Sequence, residues 1–518
     1  MAAESAVVRR FTAQSGALRR FSCKRASIST TAPGDKLKSP EDGDYHLQVA
    51  GEQRSGTETP GPFSRLSSAS LVRSIIIGRI FQFPILYKPS LALLQKVSGS
   101  RSVFLNADKN PLIRAMVLPL IYRQFCAGRN EAEVQRTIEQ IKNMGYAGII
   151  LCYAKEVMAK SGHQAANELE STVARSHRTR QEVEDWKQVN LKTLNAVGEG
   201  DYIGVKLTGA GGGVAQQLKD GGSPSPEVRE ALREICRQAK SQGKRLWIDA
   251  EQQVYHPAID NWTIDLMREF NRENSMVVMT TIQAYLKSSR QTVERYLRLA
   301  QTEGWSLGIK LVRGAYIGSD NRSKIHDTKR ETDECYDSIA HDIITKSWPG
   351  FESGSCGAGI AAAAADTSGF PHARIFLAGH NSESIRKASS LVRRLSQTGD
   401  LANEVHYGQL QGMADDIGCE LLAQADHQRE VLKALNPSSP AASSPSQIHQ
   451  NDAQHRLTEL GIPRVYKCLS WGSVQDCLYY LVRRAIENQG AAERMKSSLN
   501  EMQAELRRRF FGLFRRGK

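Results

Sequence analysis

Residues 464–488 read RVYKCLSWGSVQDCLYYLVRRAIEN, and this stretch contains one complete unit of the fold. Its first part, Arg464–Cys468, contains Val465 and Tyr466, which are residue types that strands favour. Its last part, Val474–Asn488, repeats apolar residues at helical spacing. A strand followed by a helix is the βα unit from which parallel sheets are built.

The same pattern recurs along the chain. Short runs rich in Val, Ile and Leu are followed by longer segments that can form helices, clearest at Glu131–Met144 and Gln291–Glu303. Together with Arg464–Cys468, the predicted strands are Gly148–Tyr153, Tyr202–Leu207, Arg245–Ala250, Met276–Gln283, Ser306–Val312, Arg374–Ala378 and Glu404–Leu410. Eight βα units favour a closed (β/α)8 barrel of the TIM type, in the α/β class.

A doubly wound open sheet uses the same alternation and is the alternative fold. The sequence GAGGGV at 209–214 follows a predicted strand, as a dinucleotide-binding loop would. However, Val214 occupies the place of the third glycine, and no long helix follows at once. We therefore interpret this stretch as an insertion in a barrel.

The chain divides into segments of different composition. We expect an N-terminal helical segment over 71–145, the barrel over 146–490 and a basic C-terminal helix or tail over 491–518. Stretches rich in Gly, Ala or Ser predict surface loop insertions. These insertions are 209–226, 353–369 and 437–454.

Positive charge is concentrated at the two ends of the chain. The formal net charge is +14, but residues 1–34 carry six Lys or Arg against Glu4 alone, and residues 491–518 carry eight against three Glu. The middle of the chain is close to neutral, so we expect no nucleic-acid partner. With 40% hydrophobic and 24% charged residues, the composition is that of a globular enzyme.

The N-terminal region has the composition of a targeting segment. Frequent Arg and Ser with almost no acids predict a mitochondrial transit peptide over 1–34, with an untargeted disordered tail as the alternative. Residues 35–70 are predicted to be a disordered linker. No apolar stretch is long enough to span a bilayer, since Ser74–Leu94 is broken by Arg79 and Pro84. The nine cysteines include no CxxC pair, so we expect neither disulfides nor a metal site.

Polar residues follow the predicted strands. In a barrel the active site is built at the carboxyl ends of the strands, where such residues converge. The polar residues at these ends are Lys206, Asp249, Glu251, Gln283, Lys310, Arg313, Tyr316, His380 and Asn381. Each of them alone is more typical of a surface or ion-pair residue, but together they predict one site at one mouth of the barrel.

Two adjacent arginines follow the last strand. Arg483 and Arg484 precede Glu487 by about one helical turn. Because neighbouring helix positions differ by about 100°, both guanidinium groups can flank one ligand. Two planar forks of donors suit a carboxylate. A solvated basic helix edge is the alternative.

Six motifs closely resemble those of proline dehydrogenases and occur in the same order. They are IDAEQ (248–252), IQAYLK (282–287), KLVRGAY (310–316), HN (380–381), QLQGM (409–413) and YLVRRAIEN (480–488). With the transit-like N-terminus, the resemblance indicates the eukaryotic, monofunctional mitochondrial branch. It implies a distorted barrel that holds FAD and oxidises L-proline at ring carbon C5 to Δ1-pyrroline-5-carboxylate. The implied electron acceptor is ubiquinone of the inner mitochondrial membrane.

The resemblance also implies residue roles. Around the substrate we expect Lys206, Asp249, Tyr316, Leu410, Cys468, Arg483 and Arg484. At FAD we expect Gln283, Lys310, Val312, Arg313, Lys329, Thr332, Ala378, His380, Asn381 and Glu487. Both arginines and Lys206 would bind the carboxylate, and Asp249 would orient an arginine. Lys310 would lie near flavin N5.

Cys468 departs from the family pattern. Many relatives have tyrosine at this position, four residues before Gly472, whereas related hydroxyproline dehydrogenases have a small residue there. Unless Tyr466 or Trp471 fills the gap, space beside ring carbon C4 makes hydroxyproline, or both substrates, the alternative. A Schiff-base aldolase or lyase that uses Lys206 or Lys310 is a further alternative.

The C-terminal residues 506–518 read LRRRFFGLFRRGK. Phenylalanines mixed with arginines suit an anionic lipid surface, and a helix that caps the barrel is the alternative. Together with the ubiquinone that the resemblance implies, this leads us to expect a mitochondrial enzyme on the matrix side that associates with the inner membrane.

Overall fold

The computed structural model describes residues 61–100, 102–154, 172–351, 369–401, 403–435, 461–487 and 491–515. The chain divides after Glu58, and the described residues all lie in the unit Thr59–Lys518. The predicted transit peptide, the linker up to residue 60 and the insertion at 437–454 lie outside the described residues. The insertion at 353–369 also lies outside them except for its last residue.

The described strands form one parallel sheet that closes into a barrel. They are β1 (Cys126–Gly128), β2 (Gly148–Tyr153), β3 (Tyr202–Val205), β4 (Arg245–Ile248), β5 (Val278–Gln283), β6 (Leu307–Val312), β7 (Ala373–Ala378), β8 (Glu404–Leu410) and β9 (Arg464–Trp471). Strands β2 to β9 follow one another around the barrel, and β9 pairs with both β8 and β2. The predicted (β/α)8 barrel is confirmed, and the open sheet is wrong.

The helices surround this barrel. They are α1 (Ser68–Gln82), α2 (Pro84–Gly99), α3 (Pro111–Val117), α4 (Glu131–Asn143), α5 (Thr172–Ala196), α6 (Gly212–Lys219), α7 (Pro226–Ser241), α8 (His256–Phe270), α9 (Ser289–Glu303), α10 (Lys329–Ile344), α11 (Ser382–Thr398), α12 (Asp415–Leu435), α13 (Val474–Glu487) and α14 (Ala491–Arg515). Shorter turns lie at Val103–Leu105, Leu118–Tyr122, Arg123–Phe125, Leu207–Ala210, Gln253–Tyr255 and Arg322–Lys324.

The predicted strands agree closely with the observed ones. Strands β2 and β8 have the predicted bounds, whereas β9 continues beyond Cys468 to Trp471. This extension buries Leu469 and Trp471 against the outer helices. Lys467, two residues before Leu469 in the same alternation, is also buried and pairs with Asp415 at 2.5 Å. Because Lys467 is charged, it interrupts the apolar alternation in the sequence, and the predicted strand therefore ends too early.

Aromatic rings fill the middle of the barrel. The rings of Tyr202, Trp247, Phe376 and Tyr466 pack with centroid separations of 5.1 to 5.5 Å. Gly408 makes this packing possible, because a Cβ atom at this position would collide with the ring of Phe376. The barrel is therefore a packed core and not a pore.

A hydrogen-bonded network closes the amino end of the barrel. The hydroxyl of Tyr202 lies 2.8 Å from Nδ1 of His406, and Nε2 of His406 lies 2.7 Å from Glu404. Burial lowers the pKa of His406 to about 4, against the opposing effect of Glu404. The imidazole is therefore neutral at physiological pH. Because the network fills the amino end of the barrel, space for a ligand is left at the carboxyl end.

Two predicted boundaries are wrong. The stretch 209–226 contains helix α6, whose Val214 and Leu218 are fully buried. Its glycines concealed apolar residues at the i, i+4 spacing of a buried helix face. The predicted linker also ends too late, because Phe63 and Leu66 are buried and join a core cluster with Met502.

The C-terminal helix α14 packs along α1. Leu499 and Met502 are buried, and Leu499 contacts Gly78 so closely that an added Cβ would lie 2.6 Å from its Cδ2. Arg509 donates to the carbonyl oxygen of Ser64 at 2.9 Å. Helix α14 therefore covers the N-terminal helix α1, and its Met502 also joins a core cluster with Cys419 of the barrel helix α12. Phe510 is exposed, so lipid contact at this end stays a prediction.

Helices α1 and α2 form a bent apolar pair. Among the described residues, no single helix is long and apolar enough to cross a membrane. By length and composition alone, the two helices together are apolar enough to cross a membrane, but they are bent by 107° relative to each other.

We expect Leu499→Ala to lower the free energy of unfolding by about 3 kcal/mol, because it leaves a cavity between α14 and α1. Phe511→Ala is the control on the same helix, since Phe511 is 63% exposed, and it should change this free energy by about 0.5 kcal/mol or less. Urea denaturation followed by circular dichroism measures both. Equal effects of the two variants would contradict the packing of α14 on α1.

Candidate functional site

The carboxyl ends of the strands surround a cavity of about 280 Å3, which we call the barrel cavity. Ile150, Trp247 and Phe376 form its floor, on top of the aromatic packing. Most of the predicted site residues line it. These are Lys206, Asp249, Gln283, Lys310, Val312, Arg313, Tyr316, Lys329, Ala378, His380, Asn381, Leu410, Cys468 and Arg484. The structure therefore brings together side chains that the sequence places at seven different strand ends.

Two predicted residues, Arg483 and Thr332, are not among the described residues that line the barrel cavity. Arg483 packs its guanidinium 5.1 Å from the ring centre of Tyr316, which itself lines the cavity. The hydroxyl of Thr332 donates to the carbonyl oxygen of Thr328 at 3.4 Å on helix α10. Glu487 is the last residue of α13, and its side chain lies outside the described part.

A carboxylate between two lysines dominates the electrostatics of the site. Asp249 accepts hydrogen bonds from Lys206 at 2.6 Å and from Lys310 at 2.5 Å. The three side chains are only 11 to 13% exposed. The Lys310 ammonium also lies 4.2 Å from the ring centre of Trp247, a cation–π distance. The strand geometry thus brings two lysines to Asp249, and its role in orienting an arginine stays a prediction.

The charged forms of this cluster stabilise one another. Burial alone would raise the pKa of Asp249, but the attraction of Lys206 and Lys310 outweighs it and holds this pKa well below its usual value. Burial likewise opposes the charge of Lys206, and Asp249 and Tyr316 raise the pKa of Lys206 above its usual value. Asp249 is therefore ionised and Lys206 protonated at neutral pH.

Helix α13 covers one side of the cavity. Arg484 lines it and lies 5.4 Å from the ring centre of Tyr480, which also faces the cavity. Burial raises the pKa of the Tyr480 hydroxyl. The helix therefore presents one guanidinium and one neutral phenol to a ligand.

Cys468 leaves an open place in the wall. It lines the barrel cavity beside Cys152 of the neighbouring strand, whose hydrogen bond lowers the pKa of Cys468. Tyr466 instead stacks on His406 inside the barrel, with ring centres 5.0 Å apart. The indole N–H of Trp471 donates to Thr193 outside the barrel at 3.0 Å. Neither aromatic residue therefore fills the space beside Cys468.

The other side of the cavity contains fixed donors and two helix ends. Arg313 bonds to Asp333 at 2.7 Å and to Ser384 at 2.8 Å, which fixes its orientation. Asn381 caps α11, and Lys329 begins α10. Both residues line the cavity. Helix amino ends and guanidinium groups favour anionic ligands.

Several lining residues were missed at the sequence level. Tyr480, Trp247, Cys152 and Thr281 face the cavity. Trp247 precedes Asp249 by two residues, so the period-two alternation of a strand could have identified it. Conversely, Glu251 accepts hydrogen bonds from Thr208 and is buried.

Comparison with known proteins supports one family. The proline dehydrogenase family model matches residues 134–497. The chain is 32% identical over 280 residues to a probable mitochondrial proline dehydrogenase of Schizosaccharomyces pombe, covering 54% of this chain and 49% of that protein. The chain spans half or less of the length of the first curated relatives.

A second relative is similar over nearly its whole length. The chain is 25% identical over 495 residues to hydroxyproline dehydrogenase of Rattus norvegicus, covering 87% of this chain and 94% of that protein. Among solved structures, proline utilization A of Bdellovibrio bacteriovorus has a TM-score of 0.51 at 15% identity, covering 83% of this chain and 41% of that chain. This structural likeness shows the barrel fold.

We expect Asp249→Asn to lower the free energy of unfolding by about 3 kcal/mol at neutral pH, because it leaves two buried lysines without their carboxylate. The folded pKa lies below the usual value of 3.8, so the stabilisation is lost as pH falls through this value toward the lowered pKa. The difference between wild type and variant should be constant between about pH 5 and pH 7 and shrink below about pH 4.

Urea denaturation over a pH series measures this difference. Asp327→Asn is the control, because Asp327 pairs with Lys287 on the surface and is 73% exposed. The control should leave stability unchanged within error. A loss as small for Asp249→Asn as for the control would contradict the buried cluster.

Proposed function

The chain belongs to the proline dehydrogenase family, whose model matches residues 134–497, and on this basis we propose that it oxidises the ring of L-proline with FAD as cofactor. The proposed product is Δ1-pyrroline-5-carboxylate. FAD, when bound, supplies the chemistry by accepting a hydride from ring carbon C5. The residues of the chain would bind the substrate, orient its ring and exclude water.

The charge of the barrel cavity is the observation that carries this proposal. Among the described lining residues, Lys206, Lys310, Arg313, Lys329 and Arg484 are cationic, whereas Asp249 is the acidic one. Such a surplus of positive charge suits a ligand with a carboxylate and a cofactor with a pyrophosphate. The carboxylate belongs to the proposed substrate L-proline, and the pyrophosphate belongs to FAD.

We assign the half of the cavity near α13 to the substrate. Lys206 and Arg484 would hold the carboxylate, and Asp249 would keep Lys206 protonated and in place. Tyr316 would cover the ring, with Arg483 positioning it through the observed stacking at 5.1 Å. The carboxylate anchor and the buried aromatic side chains support a site that orients C5 and excludes water.

We assign the other half to FAD, and the residues there fit the cofactor. Gln283 is oriented by the backbone N–H of Ala315, which donates to its Oε1 at 3.0 Å. Val312 and Ala378 provide apolar walls, while Arg313, His380 and Asn381 provide polar groups. Lys329 at the start of α10 would meet phosphate. For Thr332 and Glu487, contact with FAD stays a prediction.

Hydroxyproline is the second candidate substrate, and two observations favour it. Cys468 and Cys152 leave the cavity wall small where a tyrosine would fill it. The relative that is similar over almost its whole length is named a hydroxyproline dehydrogenase. An added ring hydroxyl at C4 would occupy this space.

A Schiff-base mechanism has less support. It needs a neutral amine, but both candidate lysines pair with Asp249, and the pKa of Lys206 is raised. The aldolase or lyase alternative would require that this cluster be broken.

Ubiquinone is the proposed acceptor for the electrons of the reduced cofactor. The curated relatives named mitochondrial support a mitochondrial location for this chain. We further propose association with the inner membrane, because the acceptor is dissolved in that membrane, and the family resemblance implies its matrix side.

Anaerobic addition of L-proline to the purified holoprotein should bleach the visible absorbance of its flavin, because two electrons move to the cofactor. An absorbance titration measures this change, and trans-4-hydroxy-L-proline is titrated in parallel. Bleaching by hydroxyproline alone would favour the second candidate. A flavin that neither compound reduces would contradict the proposal.

Cys468→Tyr should lower kcat/KM for hydroxyproline relative to proline by about tenfold or more, because the phenol fills the space beside C4. Steady-state kinetics with both substrates measure this ratio. Cys468→Ala keeps the space and serves as the matched control, so its ratio should stay near that of the wild type. An unchanged ratio in Cys468→Tyr would remove Cys468 from the specificity pocket.

A further inference from the structure

A second cavity of about 270 Å3 lies between the terminal helices and the barrel. Its lining is mainly apolar and comes from α1, α2, α13, α14 and the turn after β8. The apolar lining residues include Ile77 and Phe81 of α1, Leu91 and Leu94 of α2, and Leu481 of α13. The reaction proposed for the barrel cavity does not use this space.

The second cavity adjoins the half of the barrel cavity assigned to FAD. His380 lines both cavities, and Asn381 and Ser382 continue the wall on either side. The backbone N–H of Leu410 donates to Nε2 of His380 at 3.1 Å, which assigns the imidazole proton to Nδ1. Leu410 lines the barrel cavity, and the turn that follows it lines the second cavity. The side chain of His380 is therefore a wall that the two spaces share.

The helices that form the outer wall suit contact with lipid. Ile85 is 87% exposed, and Ile76, Phe83, Leu86 and Leu93 are also exposed. Helices α1 and α2 contain four basic residues and no acidic residue. Exposed apolar side chains with basic residues are typical of a helix pair that lies in a membrane interface. A ligand of the second cavity can therefore enter from an apolar phase.

We propose that the second cavity binds the lipophilic electron acceptor, a benzoquinone with an isoprenoid chain. This inference rests on the proposed function, which supplies the reduced cofactor. Two electrons and two protons pass from reduced FAD to the quinone, so that oxidised FAD and one quinol are formed. The quinone ring would lie against His380, and the chain would lie between α1, α2 and α14.

The polar side of the second cavity supports this occupant. Asp415 and Asp416 line it next to the turn Gly412–Ala414. Asp415 is held by its ion pair with Lys467. Burial raises the pKa of Asp416, so its carboxyl group is suited to exchange protons with a quinone oxygen. A carboxyl group and an imidazole among apolar walls match the polar ring and the apolar chain of a quinone.

Filling the second cavity tests the proposal. Leu91→Trp and Leu94→Trp place an indole in the space, whereas Leu93→Trp adds the same bulk on the exposed face of the same helix, since Leu93 is 51% exposed. We expect the two cavity variants to reduce decylubiquinone in phosphatidylcholine vesicles at least about tenfold more slowly than Leu93→Trp. Reduction of a water-soluble dye by L-proline should be equal in all three holoproteins.

A binding measurement separates this inference from the proposed function. An azido derivative of decylubiquinone is photolysed with each full-length protein, and the labelled peptides are mapped by mass spectrometry. Label should appear in residues 74–94 and 478–502 of wild type and Leu93→Trp, and be lost in the two cavity variants. Circular dichroism checks that each variant is folded.

Two outcomes would overturn the inference. Label outside the second cavity, or label that both tryptophans leave unchanged, would show that the quinone binds elsewhere. Label that phosphatidylcholine vesicles displace as well as free decylubiquinone does would assign the space to a lipid chain. Failure of dye reduction with correct labelling would instead count against the proposed dehydrogenase reaction and leave the binding site intact.

Discussion

The ion pairs of Asp249 with Lys206 and Lys310 are the interaction on which the site depends. They join the ends of strands β3, β4 and β6 at 2.5 to 2.6 Å. Because these groups are largely buried, removing one charge would leave the others uncompensated, which costs several kcal/mol. The cluster therefore fixes the distance between the strand ends and also the protonation state of the cavity. It leaves Lys206 charged for an anion while the cavity keeps a positive surplus.

The aromatic interior explains why this charge is available to a ligand. The rings of Tyr202, Trp247, Phe376 and Tyr466 occupy the middle of the barrel, and a neutral His406 network closes the amino end. Solvent and ligands therefore meet the charged groups from the carboxyl end. The terminal helices then add what the barrel alone lacks. Helix α13 brings Arg484 and Tyr480 to the cavity, and α1, α2 and α14 enclose an apolar space behind His380.

The sequence predicted the fold well because strand and helix periodicities are local properties. The eight strands and the convergence of Lys206, Asp249, Gln283 and Lys310 could be predicted from position alone. The failures are equally specific. Glycines in 209–226 concealed a helix whose burial depends on neighbouring helices, and Phe63 was assigned to a linker although it anchors α14. Composition averages over a segment, whereas one or two buried side chains decide whether it folds.

Pairing across the barrel could not be predicted in this way. The sequence by itself determined a βα barrel, the end of it that carries polar residues, and the family that shares its motifs. Only the tertiary structure decided that Asp249 pairs with two lysines, that neither Tyr466 nor Trp471 replaces the tyrosine missing at Cys468, and that a second cavity adjoins the first. The reason is physical. Periodicity is set by neighbours along the chain, but partners and cavities are set by packing between segments that lie far apart in sequence.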